Sequence, residues 1–306
     1  MLYFDWTEAS IKPELTLQLY NPHDGDLSLK VESFSSSDDL SRPQRTNYFT
    51  IYWVREGGGT FCADAGQHPF GPNSMLFLVP YQSFRFLPNC PLSGVSLKFH
   101  ANFLCIETHH EEVGCNGVLF NDTYGKPCVQ LNESQARECA GLLDEMTGEL
   151  REGGLAHSEV LLSYLKIFLV RATRLKLQQQ DLSHSPHGRR PEVLTELKNF
   201  IEQHFRTHHA PSDYAVLLHM SPKSLSRIVK AHLSKTLTEL IRERITRQAK
   251  WEMLHTTKPV KQVAMELGFE DIFYFSRLFK RAAGCSPSFF RDYETTIRGG
   301  RNLSMR

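Results

Sequence analysis

The sequence predicts a multi-domain protein in which a β-rich N-terminal part precedes a helical pair and an all-helical C-terminal domain. Three observations indicate this order. Short apolar segments separated by turn residues occupy residues 1–130, helical apolar spacing begins near Asn132, and one short motif occurs twice near the C-terminus. A length of 306 residues is sufficient for two domains with separate cores.

Residues 1–130 are predicted to contain short strands joined by turns. Residues 47–54 are rich in aromatic and β-branched side chains, which favour half-buried strands. A turn at residues 71–74 precedes the apolar segment 75–79. Further strands are predicted over residues 60–63, 83–87 and 94–99. Short strands with a turn about every 8–12 residues are typical of a sandwich or a barrel.

Residues 131–180 are predicted to form a helical pair. Apolar residues recur at helical spacing over residues 134–150, and Gly153-Gly154 interrupts the pattern. The second helix is predicted over residues 158–177 and is apolar on nearly all sides between residues 160 and 170. Such a helix is buried on several faces, by its partner helix, by the β-rich part or by a second copy of the protein. The polar residues 181–191 are predicted to be the interdomain linker.

The C-terminal domain is predicted to span residues 192–293 and to be helical throughout. Ser221-Pro222 and Ser286-Pro287 each combine an N-cap serine with proline in the first helical position, and Asp271 is expected to cap another helix. The predicted helices cover residues 192–206, 212–218, 222–232, 237–254, 259–267, 272–283 and 287–293. They form two helix-turn-helix units joined by one long helix of about 27 Å. Residues 294–306 are predicted to be a frayed tail.

One motif is present in both helix-turn-helix units. Residues 225–230 are Leu-Ser-Arg-Ile-Val-Lys, and residues 275–280 are Phe-Ser-Arg-Leu-Phe-Lys. Two basic helices at a fixed separation fit duplex DNA, whose major groove returns about every 34 Å. Residues 190–306 carry 20 Lys and Arg against 12 Asp and Glu, whereas residues 1–189 carry 15 against 22. This charge distribution predicts a polyanion-binding domain attached to a part that avoids DNA.

The C-terminal motifs closely resemble those of the AraC/XylS family of transcriptional regulators. The most specific family stretch matches Leu267-Gly268-Phe269-Glu270-Asp271 and Gly284-Cys285-Ser286-Pro287, and the resemblance covers about 100 residues. It implies two recognition helices that contact promoter DNA. The implied DNA-binding residues are Lys223, Ser226, Arg227, Lys230, Ile272, Phe273, Ser276, Arg277, Lys280 and Arg281. Where the first turn of the family usually has glycine, this chain has His219, a residue type that tolerates positive φ better than most.

The same resemblance implies a cupin-like β-barrel over residues 1–130 that binds an effector, and dimerisation through residues 131–180. Trp53, His68 and Arg85 are candidates to anchor an organic effector in an apolar cavity. The expected partners are double-stranded promoter DNA, a small-molecule effector, a second copy of the chain and RNA polymerase. No cofactor and no enzymatic activity are expected.

Residues 105–115 provide an alternative signal. They contain two Cys, two His and three Glu within eleven residues. Cys105, His109, His110 and Cys115 offer the thiolate and imidazole ligands that zinc, copper or iron prefers, or a redox thiol pair. The spacing matches no common zinc signature, and a turn with ordinary polar residues explains it equally well. A metal or thiol-redox sensing regulator therefore remains an alternative. A second alternative is a cupin enzyme with an appended DNA-binding domain, although no nucleophile–base set or metal triad supports it.

No targeting or membrane-spanning segment is predicted. The N-terminal residues lack an apolar signal core, and the densest apolar run, residues 160–170, is too short and too polar to span a bilayer. The seven cysteines are scattered and form no CxxC pair, which is typical of reduced thiols in a cytoplasmic protein.

Overall fold

The computed structural model describes residues 15–20, 27–36, 38–64, 66–101, 103–104, 118–120, 126–183, 192–233 and 235–297. Within these ranges, every strand lies before residue 131 and every helix begins after residue 132. The fold class predicted from the sequence, a β-rich N-terminal part followed by helices, is confirmed.

The strands form two antiparallel sheets. In chain order they are β1 (Thr16–Tyr20), β2 (Leu27–Ser35), β3 (Phe49–Glu56), β4 (Gly59–Ala63), β5 (Gly66–Phe70), β6 (Ser74–Leu78), β7 (Phe84–Pro88), β8 (Ser93–Phe99) and β9 (Cys128–Gln130). The larger sheet has the order β1-β2-β8-β3-β6-β9, and the smaller sheet has the order β5-β4-β7. The strands predicted from residue 47 onwards correspond to β3, β4, β6, β7 and β8. The description of this part as cupin-like remains a prediction from the resemblance.

The two sheets pack face to face through aromatic side chains. Tyr52 of β3 contacts Phe86 of β7, with ring centroids 5.1 Å apart in a T-shaped arrangement. Ile51 and Trp53 of β3 point to the opposite face of the larger sheet and belong to the core shared with the two helices that follow. Residues 49–54 of β3 are all buried, on both faces of the sheet, and five of these six residues are apolar or aromatic.

Helix α1 (Glu133–Glu152) begins with a capping box. The backbone N–H of Gln135 donates to the side chain of Asn132 over 2.9 Å, and the Asn132 N–H donates to the side chain of Gln135 over 3.0 Å. The helix ends at Gly153, which has a φ of 59°. These polar contacts set the two ends of the first helix of the predicted pair.

Helix α2 (His157–Ser183) is longer than predicted and occupies the first residues of the predicted linker, 181–191. The extension has a physical reason. The backbone N–H of Gln130 in β9 donates to the side chain of Gln179 over 3.2 Å, and the Gln179 amide donates in turn to the Gln130 carbonyl. Glutamine also has a good intrinsic helix propensity. Residues 184–191 of the predicted linker lie outside the described residues. In the described part of the chain, no helix is both long and apolar enough to cross a membrane.

In the described residues from 192 to 297, seven helices follow, in agreement with the prediction. They are α3 (Glu192–His204), α4 (Pro211–Leu217), α5 (Pro222–Leu233), α6 (Leu237–His255), α7 (Val260–Glu266), α8 (Ile272–Ala283) and α9 (Pro287–Ile297). Their apolar faces form one core that includes Leu197, Tyr214, Ile241 and Phe275. The prediction of a frayed tail over residues 294–306 is wrong at its start, because α9 continues to Ile297. Glu294 is only 2% exposed and contacts the N-terminal part, which supports the added turn.

Candidate nucleic-acid interface

Helices α4 and α5, and helices α7 and α8, form two helix-turn-helix units with the same turn. In the first unit, the N–H of Met220 donates to the Ala215 carbonyl over 2.9 Å. In the second unit, the N–H of Phe269 donates to the Ala264 carbonyl over 3.0 Å. The residue that follows the first helix by two positions has positive φ in both units. This residue is His219 with a φ of 51° and Gly268 with a φ of 81°.

The predicted caps of the second helices are confirmed. The Ser221 hydroxyl accepts a hydrogen bond from the Ser224 N–H over 3.2 Å at the start of α5. The Asp271 carboxylate accepts from the Phe273 N–H over 2.7 Å at the start of α8. These side chains satisfy backbone donors that a helix leaves unpaired in its first turn. Both helices therefore begin at a defined residue, which sets which side chains lie in the first turn.

Each second helix buries one face and exposes the other. Leu225 and Val229 of α5, and Phe275 and Phe279 of α8, are fully buried in the core of the domain, as predicted from their spacing. Ile228 and Leu278, also predicted to be core residues, are partly buried and pack against the same core. The buried face fixes the rotation of each helix, and so the opposite face is presented to solvent.

The exposed faces carry most of the DNA-binding residues predicted from the sequence. On α5 the exposed side chains are Lys223, Ser226, Arg227 and Lys230, and on α8 they are Phe273, Arg277, Lys280 and Arg281. Ser276 is half-buried, and Ile272 is half-buried and packs against the core. Arg277 lies 4.0 Å from Asp271, but both side chains are largely exposed, so this ion pair contributes little to stability. The guanidinium therefore stays available to a partner.

Helix α6 (Leu237–His255) holds the two units apart. It starts with a capping box, in which the Thr236 hydroxyl accepts from the Glu239 N–H over 3.2 Å and the Glu239 carboxylate accepts from the Thr236 N–H over 2.7 Å. Its 19 residues span about 28 Å. Leu240, Ile241 and Ala249 are buried along its length. The spacer between the two units is thus a packed helix with a fixed start, and its length matches the predicted one.

The N-terminal part contacts α8, the second helix of the second unit, directly. The guanidinium of Arg45, which precedes β3, donates to the carbonyls of Arg281 and Ala282 in the last turn of α8. A cation at this end of a helix interacts favourably with the helix dipole. The Lys250 ammonium of α6 donates to the Pro80 carbonyl over 3.0 Å, and Tyr81 donates to the Glu294 carboxylate. None of these contacts was predicted from the sequence.

A cavity of about 580 Å³ lies between the N-terminal part and the C-terminal domain. Its wall includes the apolar side chains of Phe49, Phe77 and Leu254. Cationic side chains also line it, namely Arg45, Lys235, Arg242, Arg247, Lys250, Arg277 and Arg281. The cavity therefore combines an apolar wall with polar groups, as small-molecule sites do, and has more cationic side chains than most of them.

Two buried polar atoms on α6 line the cavity without a partner. The Thr246 hydroxyl oxygen and one oxygen of the Glu243 carboxylate have no hydrogen-bond partner among the described residues. The other Glu243 oxygen accepts from the Lys235 ammonium over 2.8 Å. Burial raises the pKa of Glu243 to about 7, although Lys235 acts in the opposite direction. An unpaired buried polar atom costs free energy, so these two atoms favour a bound polar group.

The three residues predicted to bind an effector lie apart from one another, and none of them lines the cavity. Trp53 is buried on the helix-covered face of the larger sheet, where the Arg55 guanidinium lies 3.5 Å from its ring centroid. His68 and Arg85 lie in the smaller sheet, and His68 is buried next to Lys235. Burial, and to a lesser extent Lys235, lowers the pKa of His68 to about 4. His68 is therefore neutral at pH 7.

The predicted metal or thiol-redox site, Cys105, His109, His110 and Cys115, lies outside the described residues. In the ranges that are described, no group of three or more His, Cys, Asp or Glu side chains could hold a metal ion.

Comparison with known proteins is most specific at the C-terminal domain. A family model described as a helix-turn-helix domain matches residues 214–293, which include both units. The uncharacterised HTH-type transcriptional regulator YfiF of Bacillus subtilis is 33% identical over 140 residues, 45% of this chain and 41% of that protein. The arabinose operon regulatory protein of Escherichia coli is 36% identical over 72 residues, 24% of this chain and 25% of that protein. This chain thus matches less than half the length of either relative.

Among solved structures, ToxT from Vibrio cholerae is similar over 88% of this chain and 98% of that chain. The sequence identity is 14% and the TM-score is 0.38.

Proposed function

We propose that this chain, which carries the helix-turn-helix DNA-binding domain of AraC/XylS-family regulators, is a sequence-specific transcription regulator that responds to a small-molecule effector. The observation that carries the proposal is the pair of helix-turn-helix units within residues 214–293. Both units expose an arginine and a lysine on the helix that follows the turn, and the serine before the arginine is exposed in the first unit and half-buried in the second. The net charge of residues 190–306, +8, also favours a polyanionic partner.

The exposed side chains divide into two groups by their chemistry. Arg227 and Arg277 suit the guanine O6 and N7 acceptors, which a guanidinium can bind with two parallel hydrogen bonds. Lys230, Lys280 and Arg281 lie further along the helices and suit phosphate oxygens, which position a protein on DNA without selecting a sequence. The arginines therefore carry the specificity, and the later cations contribute affinity that depends on salt.

Replacing Arg227 or Arg277 with alanine is expected to weaken binding to the cognate site by about 1–3 kcal/mol each. Both side chains are exposed, so neither change removes a packing contact from the core. The affinity is measured by fluorescence anisotropy on an operator that the full-length chain selects from a random duplex library. Arg137→Ala is the matched control, because Arg137 is an exposed arginine on α1, outside the DNA-binding domain. Unchanged affinity in both variants would remove the proposed base contacts.

The interdomain cavity is the proposed effector site. It lies beside both parts of the chain, and its polar wall on α6 presents Thr246 and Glu243 with unpaired buried oxygens. An effector with one polar group facing these oxygens and an apolar body facing Phe49 and Phe77 would satisfy both kinds of surface. Glu243 both accepts and donates near neutral pH, since its pKa is raised to about 7 by burial.

An effector in this cavity would contact the second recognition helix itself. Arg277 and Arg281 line the cavity and also belong to the proposed DNA-binding face of α8. A ligand can shift a conformational equilibrium only as far as it binds the two states differently. These arginines cannot contact DNA and an effector in the same way at the same time. The effector would therefore bind the DNA-bound and the DNA-free chain with different affinities.

Thr246→Val is expected to weaken the binding of such an effector by about 1 kcal/mol, since it removes one hydroxyl and keeps the shape of the side chain. The measurement is a thermal-shift screen of a metabolite library on the full-length chain, followed by titration of the compounds that raise the melting temperature. Thr173→Val is the matched control. Thr173 is also buried, but its hydroxyl donates to the Leu169 carbonyl within α2. An equal loss of ligand affinity in both variants would contradict a ligand contact at Thr246.

We propose that the chain dimerises through the helical pair, α1 and α2. Helix α2 exposes Ile167 and Leu177, at 44% and 43%, whereas its other apolar side chains between residues 160 and 175 are buried or half-buried. A second copy of the chain would cover these side chains, and RNA polymerase is a further partner of the proposed regulator. No enzymatic step is part of this proposal.

A further inference from the structure

The two recognition helices can be compared position by position. Helix α5 starts one residue after its cap Ser221, helix α8 starts one residue after its cap Asp271, and both helices have 12 residues. A residue of α5 therefore corresponds to the residue of α8 whose number is larger by 50. The same polar residues occur at three corresponding positions, Ser226 and Ser276, Arg227 and Arg277, and Lys230 and Lys280.

The first turns of the two helices differ. Lys223 of α5 corresponds to Phe273 of α8, and both side chains are exposed. Phe273 is 74% exposed, the highest exposure of any described phenylalanine. It does not line the interdomain cavity, whereas its neighbour Tyr274 does. A single exposed apolar side chain is common on protein surfaces. Here, however, the residue lies in the helical turn that contacts base edges in helix-turn-helix proteins, at the position where the other unit has a lysine.

We propose that Phe273 contacts the C5 methyl group of a thymine and so gives the second half-site a base preference that the first half-site lacks. This inference rests on the proposed DNA-binding function. Phenylalanine has no hydrogen-bond donor or acceptor, and the thymine methyl is the only apolar group that the four bases present in the major groove. The corresponding residue Lys223 is a donor and suits the O6 and N7 acceptors of guanine. The operator is therefore asymmetric at this position, with guanine in one half-site and thymine in the other.

The polar residues that both helices share cannot produce this asymmetry. Ser276 and Arg277 repeat the chemistry of Ser226 and Arg227, so they favour the same bases in both half-sites. Of the other apolar residues in the first turn of α8, Ile272 is half-buried and packs against the core of its own domain, and the exposed Tyr274 lines the interdomain cavity. Phe273 is therefore the apolar side chain of this turn that is left for DNA.

The test uses DNA in which single methyl groups are removed. The full-length chain first selects an operator from a random duplex library, and each thymine of that operator is then replaced in turn by deoxyuridine. This replacement deletes the methyl group and keeps every hydrogen-bonding group of the base pair. Burial of one methyl group contributes enough free energy to change the affinity about fourfold. We expect one deoxyuridine to weaken binding by about this factor, as measured by fluorescence anisotropy.

Three variants connect that methyl group to Phe273. In Phe273→Ala, the operator with the sensitive thymine and its deoxyuridine form should bind with equal affinity. In Lys223→Ala, the matched control at the corresponding position, the fourfold difference should remain. Phe273→Lys should, in a new selection, replace thymine by guanine at that position. Phe273 and Lys223 are both exposed, so these changes leave the core intact.

The remaining outcomes separate this inference from the proposed function. If the chain selects an operator but no deoxyuridine weakens binding, Phe273 does not contact a thymine methyl group. A methyl effect that persists in Phe273→Ala also overturns the inference, because another residue then makes the contact. Insertion of Phe273 between base pairs would show as a loss of affinity in Phe273→Ala that is independent of every methyl group, and it would overturn the inference as well. A chain that selects no duplex overturns both this inference and the proposed function.

Discussion

Gly268→Ala is expected to lower the free energy of unfolding of the C-terminal domain by about 3 kcal/mol. Gly268 has a φ of 81°, a conformation that costs an L-residue about 1–2 kcal/mol. A Cβ at this position would also lie 2.0 Å from the carbonyl oxygen of Arg206. That oxygen belongs to the backbone, so a side-chain rotation cannot relieve the overlap. The turn between α7 and α8 has to shift, and the second recognition helix shifts with it.

Urea denaturation of the full-length chain, followed by tryptophan fluorescence, measures this loss, because Trp251 lies on α6 within the same domain. His219→Gly is the matched control at the corresponding position of the first unit. His219 has a φ of 51°, and glycine adopts this conformation without strain, so the control should be stabilised by up to about 1 kcal/mol. A loss below about 1 kcal/mol in Gly268→Ala would mean that the turn accommodates a side chain without strain.

The sequence was sufficient to predict those features of the C-terminal domain that depend on local chemistry. Ser221 and Asp271 cap their helices because a short polar side chain reaches the backbone of its own first turn. Positive φ at His219 was expected because the family has glycine there, and the structure confirms it. The two caps depend on residues within a few positions of one another, so the local sequence determines them, whereas the conformation of His219 was inferred from the resemblance.

Contacts between distant parts of the chain could not be predicted in the same way. Arg45 donates to backbone carbonyls of α8 that are more than 230 positions away, and Tyr81 donates to Glu294, 213 positions away. Neither side chain has a periodicity or a motif that indicates its partner, because the contact depends on how two complete domains pack together. The cavity between the domains depends on the same packing. None of the predicted effector residues, Trp53, His68 and Arg85, lines the cavity, and their role stays a prediction.

Helices α2 and α9 are longer than predicted because contacts with distant parts of the chain extend them. Glu294 was predicted to lie in a frayed tail because residues 294–306 lack apolar spacing. In the structure, Tyr81 donates to its carboxylate and His100 lies 3.8 Å from it, with both the histidine and the glutamate almost fully buried. A polar residue therefore ends up inside the protein because of the N-terminal part. Hydrophobic periodicity, which assumes that polar residues face solvent, does not predict this.

Lowering the pH from about 6.5 to about 4 is expected to destabilise the folded chain through His68 by about 3 kcal/mol. The pKa of His68 is lowered to about 4, first by burial and then by Lys235, Lys126 and Lys176. In the unfolded chain the imidazole takes up a proton near pH 6.5. Between these two pKa values the unfolded chain binds one more proton than the folded chain. The free energy of unfolding therefore falls as the pH is lowered through this range.

Glu243 acts in the opposite direction, so the measurement has to isolate His68. The pKa of Glu243 is raised to about 7 by burial, and the folded chain thus takes up this proton at a higher pH than the unfolded chain does. Its contribution to stability increases as the pH falls through 7.

The free energy of unfolding should therefore be measured from pH 4 to pH 7 in the original chain, in His68→Gln and in Glu243→Gln. The difference between the original chain and His68→Gln should show a loss towards low pH of about 3 kcal/mol. This loss should persist when His68→Gln is introduced into the Glu243→Gln background, because Glu243→Gln removes the opposing titration, whose pH range overlaps that of His68. Parallel stability curves for the original chain and His68→Gln would mean that His68 is protonated as easily in the folded chain as in the unfolded one.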